Sequence, residues 1–180
     1  MRKHQIDLRG TEIAGRIMDI GGGGEGVIGR YCGDNVVAID IRKDELEETP
    51  DIGLKIVMDA ADMSFLDNQF DNITCFYSLM YMGTKSLTKA IGEAYRVLKP
   101  GGYLYIWDAE IPFEPMEGVF VVQLDIQMLN ERITPGFGIS WNRGQSAESI
   151  LGVCKEAGFV NSENASNNGA IFLKLQKLNA

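Results

Sequence analysis

The sequence predicts an α/β fold built on a parallel sheet, and three features of its 180 residues carry that expectation. Short apolar runs alternate with helix-period runs along most of the chain, the pattern of strands wound with helices. The first apolar run leads straight into glycines, DIGGGGEGVIG at 19–29, where six of the chain's 21 glycines stand. The next two apolar runs each close on an acid, Asp40 and Asp59.

Taken in order, 15–20 (GRIMDI) is a short buried strand. A helix opens inside the glycines and continues through 27–32. Residues 35–40 (NVVAID) form the second strand, and 43–48 can form only a short helix because Pro50 stops it. Residues 54–59 (LKIVMD) and 72–77 (NITCFY) are the third and fourth strands. Leu87, Ala90, Ile91, Ala94, Val97 and Leu98 share one helical face, which Pro100-Gly101-Gly102 terminates. Residues 103–108 (YLYIWD) make the fifth strand.

The stretch 111–145 departs from the alternation. Phe120, Val122, Leu124, Ile126 and Met128 alternate with Val121, Gln123, Asp125 and Gln127, and Phe137, Ile139 and Trp141 repeat the pattern. This predicts an inserted β-hairpin around 117–143 with one apolar face, turning at Thr134-Pro135-Gly136. A helix is the competing reading, because Val121, Leu124 and Met128 also stand at i, i+3 and i+7. Beyond it, Ile150, Leu151, Cys154 and Ala157 mark a helix with Ser146 as N-cap and Gly158 past its end. Two short strands around 159–163 and 170–175 finish the chain, and a single domain over 1–180 is expected.

Apolar residues at 45% and charged residues at 23% suit an ordinary globular domain. A net charge of −8 repels phosphate backbones and anionic lipid, so neither nucleic acid nor a membrane surface is an expected partner. No run approaches the roughly 18 apolar residues of a membrane span, and the first ten residues hold no apolar leader segment. Cys32, Cys75 and Cys154 form no C-x-x-C pair and His4 is the sole histidine, so no metal site and no disulfide framework is expected. Free thiols fit a reducing compartment, and the expected location is cytoplasmic.

Glycines after a strand let a ligand approach the main chain closely. In open parallel sheets that ligand sits beyond the carboxyl ends of the strands. Asp40, 19 residues after Gly21, can accept hydrogen bonds from both hydroxyls of a ribose, and Asp59 is placed to meet an exocyclic amine on a purine. Together they describe a nucleoside pocket. Gly21-x-Gly23-x-x-Gly26 followed by Asp40 is also a formal dinucleotide fingerprint, which makes a nicotinamide cofactor and NAD(P)-dependent oxidoreduction the competing reading.

The motifs IMDIGGGGEG, VVAID, MDAADMSF, FDNITCFYSLMYM and EAYRVLKPGGYLYIWD, over about residues 16–108, resemble the class I S-adenosylmethionine-dependent methyltransferases with small Rossmann-like domains. The resemblance implies a three-layer fold on a seven-stranded, mostly parallel sheet whose last strand is antiparallel. It implies S-adenosylmethionine as cofactor, with Asp19 and the backbone of Gly21, Gly22 and Gly23 holding the methionine portion. Asp40 takes the ribose, Ile41 lies against the adenine, Asp59 and Ala60 read its edge, and Phe76 and Tyr77 border the methyl-transfer site. One departure is Glu25, which stands where the family usually has its third glycine.

Methyl transfer from a sulfonium is an in-line displacement, so alignment and exclusion of water are the protein's main tasks. No D/N-P-P-Y follows the fourth strand and no Pro-Cys nucleophile is present, which disfavours DNA-base acceptors. The fourth strand also lacks the closing acid of the magnesium-dependent catechol type. The expected acceptor is a small molecule, bordered by Phe76, Tyr77, Met80, Tyr81, Met82 and Trp107, although Met80 and Met82 read more simply as core packing. No general base stands out; Tyr77, Tyr81 and Asp108 are the candidates, and Asp108 and Glu110 read alternatively as solvated loop acids. His4 either folds over the site with the N-terminal segment or is a mobile terminus. The hairpin around 117–143 is expected to act as a lid or to pair two subunits in a homodimer. A cofactor-binding regulator without catalysis is the non-enzyme alternative.

Overall fold

The computed structural model describes residues 2–114, 118–140 and 143–179. In chain order the elements are β1 (Arg2–Asp7), β2 (Ile17–Ile20), α1 (Val27–Cys32), β3 (Val36–Asp40), α2 (Lys43–Glu48), β4 (Leu54–Val57) and β5 (Phe70–Phe76). They continue with α3 (Thr84–Val97), β6 (Leu98–Ala109), β7 (Phe120–Gln127), β8 (Arg132–Ile133), β9 (Gly136–Ile139), α4 (Ala147–Ala157), β10 (Val160–Asn167) and β11 (Ala170–Gln176).

Seven of these strands form one sheet in the order β10-β11-β6-β5-β2-β3-β4. β2, β3, β4, β5 and β6 run parallel, and β11 lies antiparallel to β6. The chain winds outward from β2 through β3 to β4, then returns to β2's other side with β5. The carboxyl end of β2 is therefore the point where the strand order reverses, and a crevice opens there. β10 and β11 are joined through Asn168 and Gly169, both at positive φ (51° and 82°), as a tight antiparallel hairpin requires.

The two faces of this sheet are covered differently. On one, α3 and α4 seat Leu87, Ile91, Ala94, Ile150 and Cys154 against Ile73, Ile106 and Leu173. The Ser146 hydroxyl accepts from Ser149 N–H and Gly158 closes α4 in the left-handed region, as the sequence predicts. On the other face α1 shares the cover with a second sheet, in which β7 pairs in parallel with β1 and antiparallel with β8 and β9. Its inner side sets Ile6, Val122, Leu124 and Ile126 against Phe76, Tyr105 and Trp107. One outer layer of the three is thus largely a β-sheet.

The alternation in β7 is the predicted one: Phe120, Val122, Leu124, Ile126 and Met128 are buried, and Val121 faces out. The reversal, however, lies at 128–131, where Met128 N–H donates to Glu131 O at 2.9 Å. Thr134 and Pro135 instead interrupt the returning strand between β8 and β9, and Gln123 Nε2 donates to both of their carbonyls. Proline has no N–H to give a ladder, which is why the strand breaks there. Trp141, part of the expected pattern, and residues 117 and 142 of the 117–143 segment lie outside the described residues.

β1 is a second difference. His4, Ile6 and Leu8 are buried while Gln5, Asp7 and Arg9 are not, so the N-terminal segment is an edge strand of the second sheet with one face turned into the core. α1 differs by a smaller amount. It begins at Val27 after Gly26, which sits in the left-handed region at φ 58°, and so starts beyond the glycines. Among the described residues, no helix is long and apolar enough to cross a membrane.

Candidate active site

β2 ends at Ile20 and the glycine loop crosses the edge of β3. Gly21 and Gly22 N–H donate to Ile39 O at 2.8 and 3.1 Å, and Gly24 N–H donates to Glu45 O at 2.9 Å. Gly23 N–H donates to Asp40 Oδ2 at 3.3 Å. Gly21 has φ +72°, and a Cβ there would stand 2.4 Å from Ser78 Cβ. A Cβ on Gly23 would stand 2.5 Å from Glu45 Cβ. The loop therefore lies flat between β2, β5 and α2 only because it has no side chains.

Above it is a cavity of about 900 Å³, near the upper end of the ~300–1,000 Å³ usual for small-molecule sites. All ten residues that the sequence assigns to cofactor binding line it: Asp19, Gly21, Gly22, Gly23, Asp40, Ile41, Asp59, Ala60, Phe76 and Tyr77. Asp40 Oδ1 accepts from Arg42 N–H at 2.9 Å and Asp59 Oδ1 from Ala61 N–H at 2.8 Å, so each carboxylate is held at its strand end. Ile41 is 67% exposed, an apolar platform on the cavity wall.

The charge of this half is strongly one-sided. Asp19, Glu25, Asp40, Glu45, Glu48 and Asp59 line it against Arg30 and Arg42, and both arginines are already engaged. Arg42 pairs with Asp44 and, at 2.8 Å, with Glu45; Arg30 donates to Glu25 O and pairs with Glu131 at 3.2 Å. Asp19 is the most constrained acid: Thr74 Oγ1 donates to its Oδ1 at 2.6 Å, and only 2% of it is exposed. Burial, reinforced by the Asp40 charge and opposed by Thr74, pushes its carboxyl up to about 7. A cation arriving beside it would restore the ionised form.

That arrangement disfavours a dinucleotide. A pyrophosphate is held by free backbone N–H donors and tolerates no crowd of carboxylates. Here the N–H groups of Gly21 to Gly24 point into the protein, and the surrounding side chains are acids.

The opposite end is aromatic. Phe76, Tyr77, Tyr81, Met82 and, from β9, Phe137 line it. Tyr77 leaves β5 at φ +49°, an uncommon conformation for a bulky residue, while its N–H donates to Trp107 O at 2.7 Å. Its ring stacks on Phe137, with centroids 5.8 Å apart and planes 18° from parallel, and its hydroxyl lies 2.8 Å from His4 Nδ1. Tyr81 is about half exposed at the rim, its hydroxyl facing the Gly138 backbone.

Asp108 is not part of this cavity, nor is it a solvated loop acid. It is fully buried, with Oδ2 accepting from Leu79 and Met80 N–H and Oδ1 from Gln145 Nε2 and Ala109 N–H. Burial pushes it up to about 6 against those four bonds, and its role is to brace the turn after β5. Met80 and Trp107 are also core, packed between the two sheets, and Glu110 accepts from Ser166 Oγ at 2.9 Å outside the cavity. His4, Thr74 and Phe137 are the contributors that motif spacing does not single out. The HQIDL alternation is the one signal that would have placed His4 indoors.

Residues 18–106 match the family described as a methyltransferase domain, a span that contains the glycine loop, Asp40, Asp59 and the turn after β5. The chain is a class I S-adenosylmethionine-dependent methyltransferase. It is 24% identical over 193 aligned positions to the ubiquinone/menaquinone biosynthesis C-methyltransferase UbiE of Vibrio vulnificus (strain YJ016), covering 94% of this chain and 74% of that one. Among solved structures, an S-adenosylmethionine-dependent methyltransferase of Methanosarcina mazei superposes with a TM-score of 0.61 at 22% identity, over 90% of this chain and 92% of the other. The PH0226 protein of Pyrococcus horikoshii OT3 gives 0.67 at 18% identity, over 93% and 84%. The cofactor of this methyltransferase is S-adenosylmethionine, whose ammonium and sulfonium charges suit the acidic half of the cavity.

Proposed function

We propose that this methyltransferase transfers a methyl group to a small acceptor that presents a flat or apolar face to Phe76, Tyr77, Tyr81 and Phe137. The observation that carries the proposal is the division of one cavity into an acidic, glycine-floored half and an aromatic half. The first fits the cationic donor and the second fits an acceptor that gains from ring contacts. The UbiE relative is named for methylating carbon in quinone biosynthesis, which is consistent with such a ring.

In this reading Asp19 and Gly21 to Gly23 hold the amino-acid end of the cofactor. Asp40 takes the ribose hydroxyls, Ile41 supports the adenine face, and Asp59 with Ala60 meets its edge. Bound S-adenosylmethionine supplies a methyl group on a sulfonium that leaves as a neutral thioether. The chain's share is geometric: the loop fixes the donor, and Phe76 and Tyr77 wall off water where the methyl group would face the acceptor.

β9 belongs to the second sheet and brings Phe137 over the cavity, which supports the lid reading of the inserted hairpin. Its apolar face is already occupied within the chain, so the homodimer reading loses its main motive. Pairing of β1 with β7 and of β11 with β6 ties both ends of the chain into its sheets, consistent with one domain over 1–180. The free thiols of buried Cys75 and Cys154 suit a cytoplasmic protein.

The test is transfer of labelled methyl from S-adenosylmethionine to a panel of phenols, hydroquinones, amines and carboxylates. Preference for aromatic acceptors supports the proposal. Turnover confined to aliphatic carboxylates would overturn it.

A further inference from the structure

Behind the aromatic half lies a pair of residues whose chemistry exceeds what packing requires. His4 Nδ1 and Tyr77 Oη are 2.8 Å apart, and each residue is only 1% exposed. Tyr77 lines the cavity, whereas His4 stands behind it on β1, so His4 meets the acceptor only through Tyr77. His4 Nε2 is buried and has no hydrogen-bond partner among the described residues. It faces the turn at Gly169, where an added Cβ would lie 3.6 Å away. With the Asn168 backbone near the ring but no hydrogen bond of good geometry, this buried nitrogen costs stability, and an apolar residue could fill the same space without it.

We infer that His4 is the positioning and proton-accepting partner of Tyr77 in methyl transfer to an acceptor that must lose a proton, such as a phenol. The inference rests on the methyl-transfer reading above. With its ring proton on Nε2, His4 accepts the Tyr77 hydroxyl hydrogen at Nδ1, which leaves the tyrosine oxygen's lone pairs for the acceptor's O–H. The acceptor oxygen forms its bond to the methyl carbon as the carbon–sulfur bond breaks, its electrons staying on sulfur. The acceptor's proton passes to Tyr77 oxygen while the proton of Tyr77 passes to His4 Nδ1. Tyr77 ends as it began and His4 as an imidazolium, which loses its proton after product departs.

The surroundings agree. The charged groups facing the pair are Arg2 on β1, Glu110 after β6 and, toward Tyr77, Asp108; the β10–β11 turn offers only the uncharged Asn168. Burial and Arg2 hold the imidazole below its ordinary value against Glu110 and the Asn168 backbone, so it is neutral and able to accept. Burial holds the Tyr77 phenol well up, so it does not ionise unaided.

Because His4 is the sole histidine, a ¹⁵N correlation spectrum reads its tautomer and titration directly, without turnover. The expected result is the Nε2–H tautomer at pH 7.5, with an Nδ1 resonance that moves in Tyr77→Phe. An Nδ1–H tautomer, with no lone pair toward Tyr77, would overturn the inference. Methyl transfer to 1,4-dihydroxynaphthalene then separates relay from packing. In His4→Gln, which can accept the Tyr77 hydrogen but cannot take up its proton, kcat should fall about 100-fold, with KM and cofactor Kd unchanged. The wild-type kcat should also rise with pH along the imidazole titration. Retention of wild-type kcat and its pH profile in His4→Gln would reduce the pair to packing. Failure of S-adenosylmethionine to bind the wild-type protein would instead strike the methyl-transfer reading, leaving the tautomer result as it stands.

Discussion

Replacing Asp19 with Asn should stabilise the ligand-free protein at neutral pH while weakening its grip on the cofactor. In an unfolded chain the carboxyl ionises near 3.9; in the fold it is held up to about 7. Between those values the native state keeps a proton that the unfolded state has lost. Stability contributed by this site therefore falls as pH rises from about 4 to 7 and stays low above. At ~1.36 kcal/mol per pH unit over the three or so units between the two values, the penalty reaches about 4 kcal/mol at pH 8. Asn keeps an oxygen to accept from Thr74 Oγ1 but adds a buried N–H₂ that needs acceptors, at a cost of about 1–2 kcal/mol. The variant should then be about 2–3 kcal/mol more stable than wild type at pH 8 and about equal to it near pH 5. Urea titrations of both proteins from pH 5 to 8.5 measure the difference, and the Asp108 titration, common to both, cancels. A stability difference that does not change across that range would refute the account of Asp19 as a buried, proton-holding carboxyl.

Gly21→Ala has both its φ of +72° and the 2.4 Å approach to Ser78 Cβ against it. It should cost about 2–4 kcal/mol in chemical denaturation and lower cofactor affinity at least tenfold by calorimetry. Leu124→Ala empties a fully buried position between the two sheets and should cost about 2–5 kcal/mol. A loss under 1 kcal/mol would mean that the second sheet is not packed as described. Phe137→Ala removes the ring stacked on Tyr77 and should raise acceptor KM about tenfold, while calorimetry shows the cofactor Kd unchanged.

Much of the central sheet was legible because its inner strands β2, β3 and β5 are buried on both faces and read as apolar runs, and because glycine and acid mark the strand ends. The glycine loop, Asp40 and Asp59 were legible for the same reason: their positions follow from where strands stop. The hairpin's alternation in β7 was legible too, but its turn was misplaced. Thr134-Pro135-Gly136 has turn composition, and only the pairing of β7 with both β8 and β9 shows that it is a break within a strand. β1 was missed because its partner β7 lies far along the chain, Arg2 pairing with Val122 and His4 with Leu124, and no local pattern announces a long-range pairing. Asp108 was misjudged because an acid at a strand's end looks alike whether it faces a ligand or braces the adjoining turn. Its four hydrogen-bond donors come from Leu79, Met80, Ala109 and Gln145, and only the fold brings these together.

The most direct measurement is parallel calorimetric titration of the ligand-free protein with S-adenosylmethionine, S-adenosylhomocysteine, NAD and NADP. An acidic cavity whose glycine N–H groups are turned inward predicts micromolar binding of the two adenosyl ligands and no heat from either dinucleotide. Saturable binding of NAD or NADP, with none of S-adenosylmethionine, would contradict it.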